Sequence, residues 1–146
     1  MKRNYLVSGH NQDLTQGEFS FTAELDFAFL GLRTDGILIT SFFENRTITA
    51  NECEMMVALL EEKLGKRKYR MLLYSTATTY FDKSALSFSA SERGQSFSVV
   101  EAYITSNFLH KIIGIIYVYF NRPKVPTKIF TDKSKAIEWL KNFQDE

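Results

Sequence analysis

A chain of 146 residues, 45% of them hydrophobic, is long enough to bury one core of ordinary size without disulfides or metals. Eighteen basic side chains against 17 acidic ones leave a net charge of +1, so no broad field recruits nucleic acid or an anionic membrane surface. The single cysteine, Cys53, rules out an internal disulfide, and the opening MKRNYLVSGHNQDL lacks the apolar run of a signal peptide, so a cytoplasmic protein is expected.

Residues 1–17 are polar and without a period, which predicts a lead-in before a single domain over 18–146. Phe19, Phe21, Ala23 and Leu25 alternate with polar neighbours as a half-buried strand, and residues 27–32 are expected to continue it past Asp26. The turn RTDG, with Gly36 free to take positive φ, leads into a second strand over 37–43, and the two should pair as an antiparallel hairpin. Thr49 and Glu52 have capping-box spacing, so a helix starts there. Cys53, Met56, Val57, Leu60 and Leu64 share its inner face, and Gly65 is placed to end it in a left-handed conformation. The dense apolar stretch YRMLLYS, 69–75, reads as a central strand, joined to the previous one by a helical crossover and therefore parallel to it.

Residues 76–95 are rich in hydroxyls and predict a loop, then a short helix over 83–93 capped by Asp82, with an exit at Gly94. A fourth strand follows over 97–104. Residues 106–120 have strand-forming side chains but helical length; Phe108, Ile112, Ile115, Ile116 and Tyr119 fall on a helical stripe, with Ser106 or Asn107 as cap. Interrupted by His110 and Lys111, this helix is shorter than the roughly 20 apolar residues that span a membrane. Pro123 enforces an extended connection to a short strand at Lys128, Ile129 and Phe130. Thr131 or Asp132 then caps a last helix bearing Ala136, Ile137, Leu140 and Phe143, with Trp139 as a packing residue.

This order implies an α/β fold: a mixed sheet of about five to six strands, an N-terminal hairpin followed by alternating βα units, and four helices layered on the sheet. The stretches DGIL (35–38), HKIIG (110–114), NRPKVPTKIF (121–130) and AIEWL (136–140) resemble a family of small bacterial proteins related to STAS domains, the anti-sigma-factor antagonist fold. The resemblance covers roughly residues 27–143, and its last two motifs are the specific ones. It implies a noncatalytic, regulatory or protein-interaction role with a protein partner it does not identify. In the classical antagonists the regulatory serine is the third residue of Asp-x-Ser-Gly-Leu at a helix start; Asp82-Lys83-Ser84-Ala85-Leu86 is similar, with Ala85 in place of glycine. By that likeness Ser84 is a candidate phosphoacceptor, and Asp82, Thr78 and Ser75 belong to the same candidate interaction loop. A phosphate on Ser84 would meet helix amides and the positive end of the dipole, whereas the simpler reading makes Asp82 an N-cap and Ser84 a solvated first-turn residue. Where closer relatives carry an acidic and then a basic residue at the preceding strand end, this chain has Tyr74 and Thr76.

Other candidates carry less. His10, His110 and Cys53 have no metal-ligand spacing, and neither a metal nor another cofactor is expected. A lone cysteine on a helix face is most simply core, Glu61 and Glu62 a solvated face, and GKRKYR (65–70) a basic connection. No general base accompanies the hydroxyls of 76–84, so an enzyme is not expected. A carrier of an apolar small molecule or lipid is the alternative, because the fold resembles lipid-binding domains and the helix over 106–120 is apolar nearly all round. The same excess predicts a homodimer, with Ile113, Tyr117 and Phe120 near its contact.

Overall fold

The alternation from Phe19 builds β1 (Phe19–Glu24), a strand with every second side chain half-buried. Instead of running on, the chain reverses at Asp26: the Leu25 N–H donates to the Ala28 carbonyl at 2.8 Å, and β2 (Ala28–Arg33) folds back antiparallel on β1. The expected single strand is therefore two. The physical reason is legible in retrospect, because alternation gives way at Phe27 to a continuous apolar run that needs cover on both faces. The structure, a computed structural model, describes Leu14, residues 17–106 and residues 108–144.

A turn at Gly36 (φ 91°) joins β2 to β3 (Ile37–Phe42), with Leu32 opposite Leu38, as the hairpin signal predicts. Asp35 holds the turn by accepting from the Arg33 guanidinium at 2.7 Å and from the Ile37 N–H at 3.4 Å. After β4 (Arg46–Ile48) comes α1 (Ala50–Leu64), opened by the expected capping box: Thr49 Oγ1 accepts from the Asn51 N–H, and Glu52 accepts from the Thr49 N–H at 2.9 Å. Gly65 ends α1 at positive φ (73°) but with ψ −161°, extended rather than left-handed helical.

Next follow β5 (Tyr69–Tyr74), β6 (Thr79–Phe81), α2 (Lys83–Ser89), β7 (Ser98–Ile104), α3 (Phe108–Asn121), β8 (Thr127–Phe130) and α4 (Lys133–Asn142). The main sheet has the order β1-β2-β3-β5-β7-β8, antiparallel through β3 and parallel from there to β8, so β5 is central as expected. A second, two-stranded parallel pair joins β4 to β6, both of which lie in segments the sequence reads as connections. The helix expected over 83–93 stops at Ser89. Ser91 Oγ donates back to the Phe88 carbonyl, and the chain turns so tightly that a Cβ on Gly94 would lie 2.0 Å from that same carbonyl oxygen. Of the expected caps of α3, Asn107 lies outside the described residues, and Ser106 Oγ is buried without a hydrogen-bond partner among them. Asp132, rather than Thr131, caps α4 by accepting from the Lys135 N–H at 3.1 Å.

The pleat divides the sheet into two faces. Ile37, Ile39, Leu72, Val100, Ala102 and Ile104 point to α4, where Ala136 and Leu140 cover them; Leu14, from the expected lead-in, is buried in the same cluster. Trp139 packs there against Phe130, ring centroids 5.7 Å apart. The opposite face receives Cys53, Val57 and Leu60 of α1 and Ala85 of α2, over Leu38, Phe42, Met71 and Leu73.

An apolar cavity with a buried carboxyl

Between this second face and its helices lies a cavity of about 450 Å³, within the size range of small-molecule pockets. Its floor is set by register: Thr40 pairs with Leu73, Leu73 with Tyr103 and Tyr103 with Ile129, one residue from each of β3, β5, β7 and β8. One pleat repeat earlier, Met71 stands opposite Glu101. The helical wall comprises Cys53, Met56, Val57 and Leu60 of α1, Leu86 and Phe88 of α2, and His110, Ile113, Gly114 and Tyr117 of α3. Gly114 lets α3 approach the sheet closely, since a Cβ there would sit 3.2 Å from the Ile129 side chain.

Glu101 is the one acidic side chain among the described residues of this floor. It is 4% exposed, and the Ser98 hydroxyl donates to its Oε2 at 2.5 Å. Burial pushes its carboxyl up to about 7, partly offset by Ser98 and Gln95. None of the ion pairs among the described residues includes it. Gln95 is itself buried; its Oε1 accepts from the Lys124 and Val125 N–H groups, tying the entry of β7 to the connection before β8. Its Nε2 lies close enough to the Glu101 carboxyl to favour the charged form, yet makes no well-aligned hydrogen bond to a described residue.

Tyr103 and Tyr117 stand edge to face above this floor, centroids 6.5 Å apart, and burial holds both phenols protonated well beyond their ordinary range. Burial also pushes the Cys53 thiol up to about 11, which keeps it a neutral packing group rather than a nucleophile. Among the described residues no three His, Cys, Asp or Glu side chains gather where they could hold a metal ion.

The residues singled out from the sequence separate into two groups. Ser75 lines the cavity, but Asp82, Ser84 and Thr78 do not. Asp82 caps α2 by accepting from the Ala85 N–H at 2.8 Å and from the Ser84 hydroxyl at 2.6 Å, and Ser84, with Ala85 second, holds its carboxyl below the ordinary range. The Ser84 oxygen accepts in turn from the Ala50 N–H at 3.0 Å, so this exposed serine joins the starts of α1 and α2. Thr78 Oγ1 accepts from the Asn45 N–H at 2.9 Å, while Thr79 Oγ1 donates to the Phe43 carbonyl, and together they secure the β4–β6 pair. Of the expected contact residues, Phe120 is 74% exposed and Ile113 57%, but Tyr117 is a correction: it turns inward to the cavity and is 9% exposed. Its ring packs against Tyr103 of β7 rather than facing outward with Phe120. The sequence reading passed over Glu101, although its signal was present: one charge in the middle of SVVEAYI, a strand with no other.

Comparison with known proteins starts from a family profile, a domain of unknown function called DUF7793, which matches residues 31–144. The chain belongs to this family. Its matched region runs from β2 through α4 and so includes the cavity floor and all four helices. No curated protein matches the chain. Among solved structures, an uncharacterised protein of the DUF3478 family with a SpoIIAA-like fold, from Shewanella loihica PV-4, aligns at 20% identity over 82% of this chain and 90% of its own, with a TM-score of 0.52. That likeness concerns the fold, and it bears out the resemblance to the anti-sigma-factor antagonist architecture. A protein of unknown function from Arthrobacter sp. FB24 aligns at 23% identity over 78% of this chain and 99% of its own, with a TM-score of 0.29. Among the described residues no helix is long and apolar enough to cross a membrane.

Proposed function

We propose that the protein is a noncatalytic binding module of regulatory type, whose ligand is an apolar small molecule held between the sheet and α1–α3. The observation that carries this reading is the cavity of about 450 Å³, walled mainly by aliphatic, aromatic and methionine side chains with a few hydroxyls and Glu101. A core of this size would ordinarily close over such a space, because unfilled apolar volume forfeits dispersion contacts. Met56 and Met71 on opposite walls give the lining the adaptability that a ligand site uses. The noncatalytic part of the proposal rests on the neutral Cys53 thiol and on Ser84 and Thr78, whose hydroxyls serve capping and strand-end contacts.

The test is displacement of a neutral fluorescent probe such as Nile red. Saturable binding that is abolished by Leu73→Trp, a substitution that can only grow into the cavity, is the expected result. Probe binding unchanged by Leu73→Trp in a folded protein would overturn the reading.

A second reading, self-association through α3, is favoured by the apolar side chains the helix leaves outside, Ile112, Ile115 and Phe120, together with the outer part of Ile113, which also borders the cavity; each is at least 40% exposed. Sedimentation equilibrium tests it. A dimeric mass that Ile113→Lys converts to a monomer is expected, and a monomer throughout would remove this second reading.

A further inference from the structure

We propose that the cavity prefers apolar molecules ending in a protonated amine, with the Glu101 carboxylate as their counter-ion, and discriminates against fatty acids of the same length. The inference rests on the binding reading above and specifies its ligand class.

Two features of the cavity converge on it. Glu101 is buried in mid-strand, and its one hydrogen-bond donor of good geometry is Ser98, on Oε2, so Oε1 takes no such bond from a described residue. A carboxylate has about four acceptor positions, so most of those of Glu101, which lines the cavity, take no hydrogen bond from a described residue. Tyr103 and Tyr117 bring two aromatic rings to the same wall, close enough to Glu101 that its charge further opposes their ionisation. An ammonium group satisfies both: it donates to the carboxylate and is attracted to the faces of electron-rich rings. A carboxylate ligand would instead bring two like charges together away from water, which is tolerated only if one of them takes up a proton.

Among the described residues, the other ionisable groups facing the space are Cys53 from α1, Tyr80 from β6 and His110 from α3, while β3, β5, α2 and β8 line it with uncharged side chains. Burial raises the Glu101 carboxyl, so amine binding should strengthen as pH rises through about 7 and the carboxylate forms.

Calorimetric titration of the full chain with decylamine, decanol and decanoate separates the contributions. Decylamine is expected to bind about tenfold or more tightly than decanol at about pH 8, with decanoate weakest. Glu101→Gln should remove the preference for decylamine over decanol and abolish the pH slope, whereas His110→Gln should retain that slope. The wild-type comparison of amine with alcohol needs no variant to fold. Decylamine no tighter than decanol, or decanoate the tightest, would overturn this inference while leaving the binding reading intact; no binding of any of the three would overturn both.

Discussion

Leu72 and Leu73 are neighbours on β5, yet they face different environments. Leu72 points to α4 into a cluster where Val100, Ala102, Ile104, Ala136 and Leu140 are fully buried and interlocked. Leu73 points the other way, onto the floor of the cavity. β7 repeats the contrast, sending Val100, Ala102 and Ile104 to the filled side and Glu101 and Tyr103 to the open one. The same strands thus serve as a closed core on one face and a binding surface on the other. A fold can keep a loosely filled, partly polar layer when the opposite layer supplies the packing that holds the sheet together.

The contrast is tested most severely by paired truncations. Leu72→Ala should cost about 3–5 kcal/mol in urea unfolding, because it opens a void in filled surroundings, whereas Leu73→Ala should cost about 2 kcal/mol, since its atoms already face unfilled space. Equal losses would erase the distinction between the two faces.

Next in size is the effect of the buried carboxyl. Its folded value of about 7 lies above the ordinary 4.5, so the folded state holds a proton that the unfolded chain releases between these values. Stability should therefore be highest below about pH 4.5, as far as this group is concerned, and fall by about 3 kcal/mol as pH rises through 7. Glu101→Gln should flatten that part of the stability curve. A wild-type curve with the same slope as the variant would mean that Glu101 is not held in the surroundings described.

A smaller effect belongs to the helix starts on the open face. Asp82→Ala removes the acceptor for the Ala85 N–H and should cost about 1 kcal/mol. Ser84→Ala, an exposed change beside an intact cap, should stay within about 0.5 kcal/mol. A Ser84→Ala loss larger than that of Asp82→Ala would show that the link from Ser84 to α1 dominates over the cap.

How legible these regions were in the sequence follows from the range of the interactions that make them. The capped starts of α1, α2 and α4 could be read locally, because Thr49, Glu52, Asp82 and Asp132 act within three residues of their partners. Central β5 and the β2–β3 hairpin were legible from apolar density and the Asp35–Gly36 turn. The reversal at Asp26 was not, since only cover on both faces of Phe27 to Leu30 distinguishes a new strand from a continued one. Nor was the β4–β6 pair, in which Arg46 meets Thr79 across more than thirty residues and each strand has only three. Excess apolar surface on α3 was readable, but its division was not: Tyr117 goes to the cavity and Phe120 to the outside. Glu101 was visible as a lone charge, whereas the space it faces depends on how far the helices stand from the sheet, which no local pattern encodes.

The most direct test of the central claim, that one face of the sheet is a ligand cavity and the other is closed, is a methyl-resolved NMR titration with decanol. Saturable shifts of Leu73, Met71 and Ile129, with Leu72, Ile104 and Leu140 unmoved, are the predicted result. Shifts confined to the outer residues Ile112 and Ile115 of α3, or no saturable shift at the cavity floor, would contradict it.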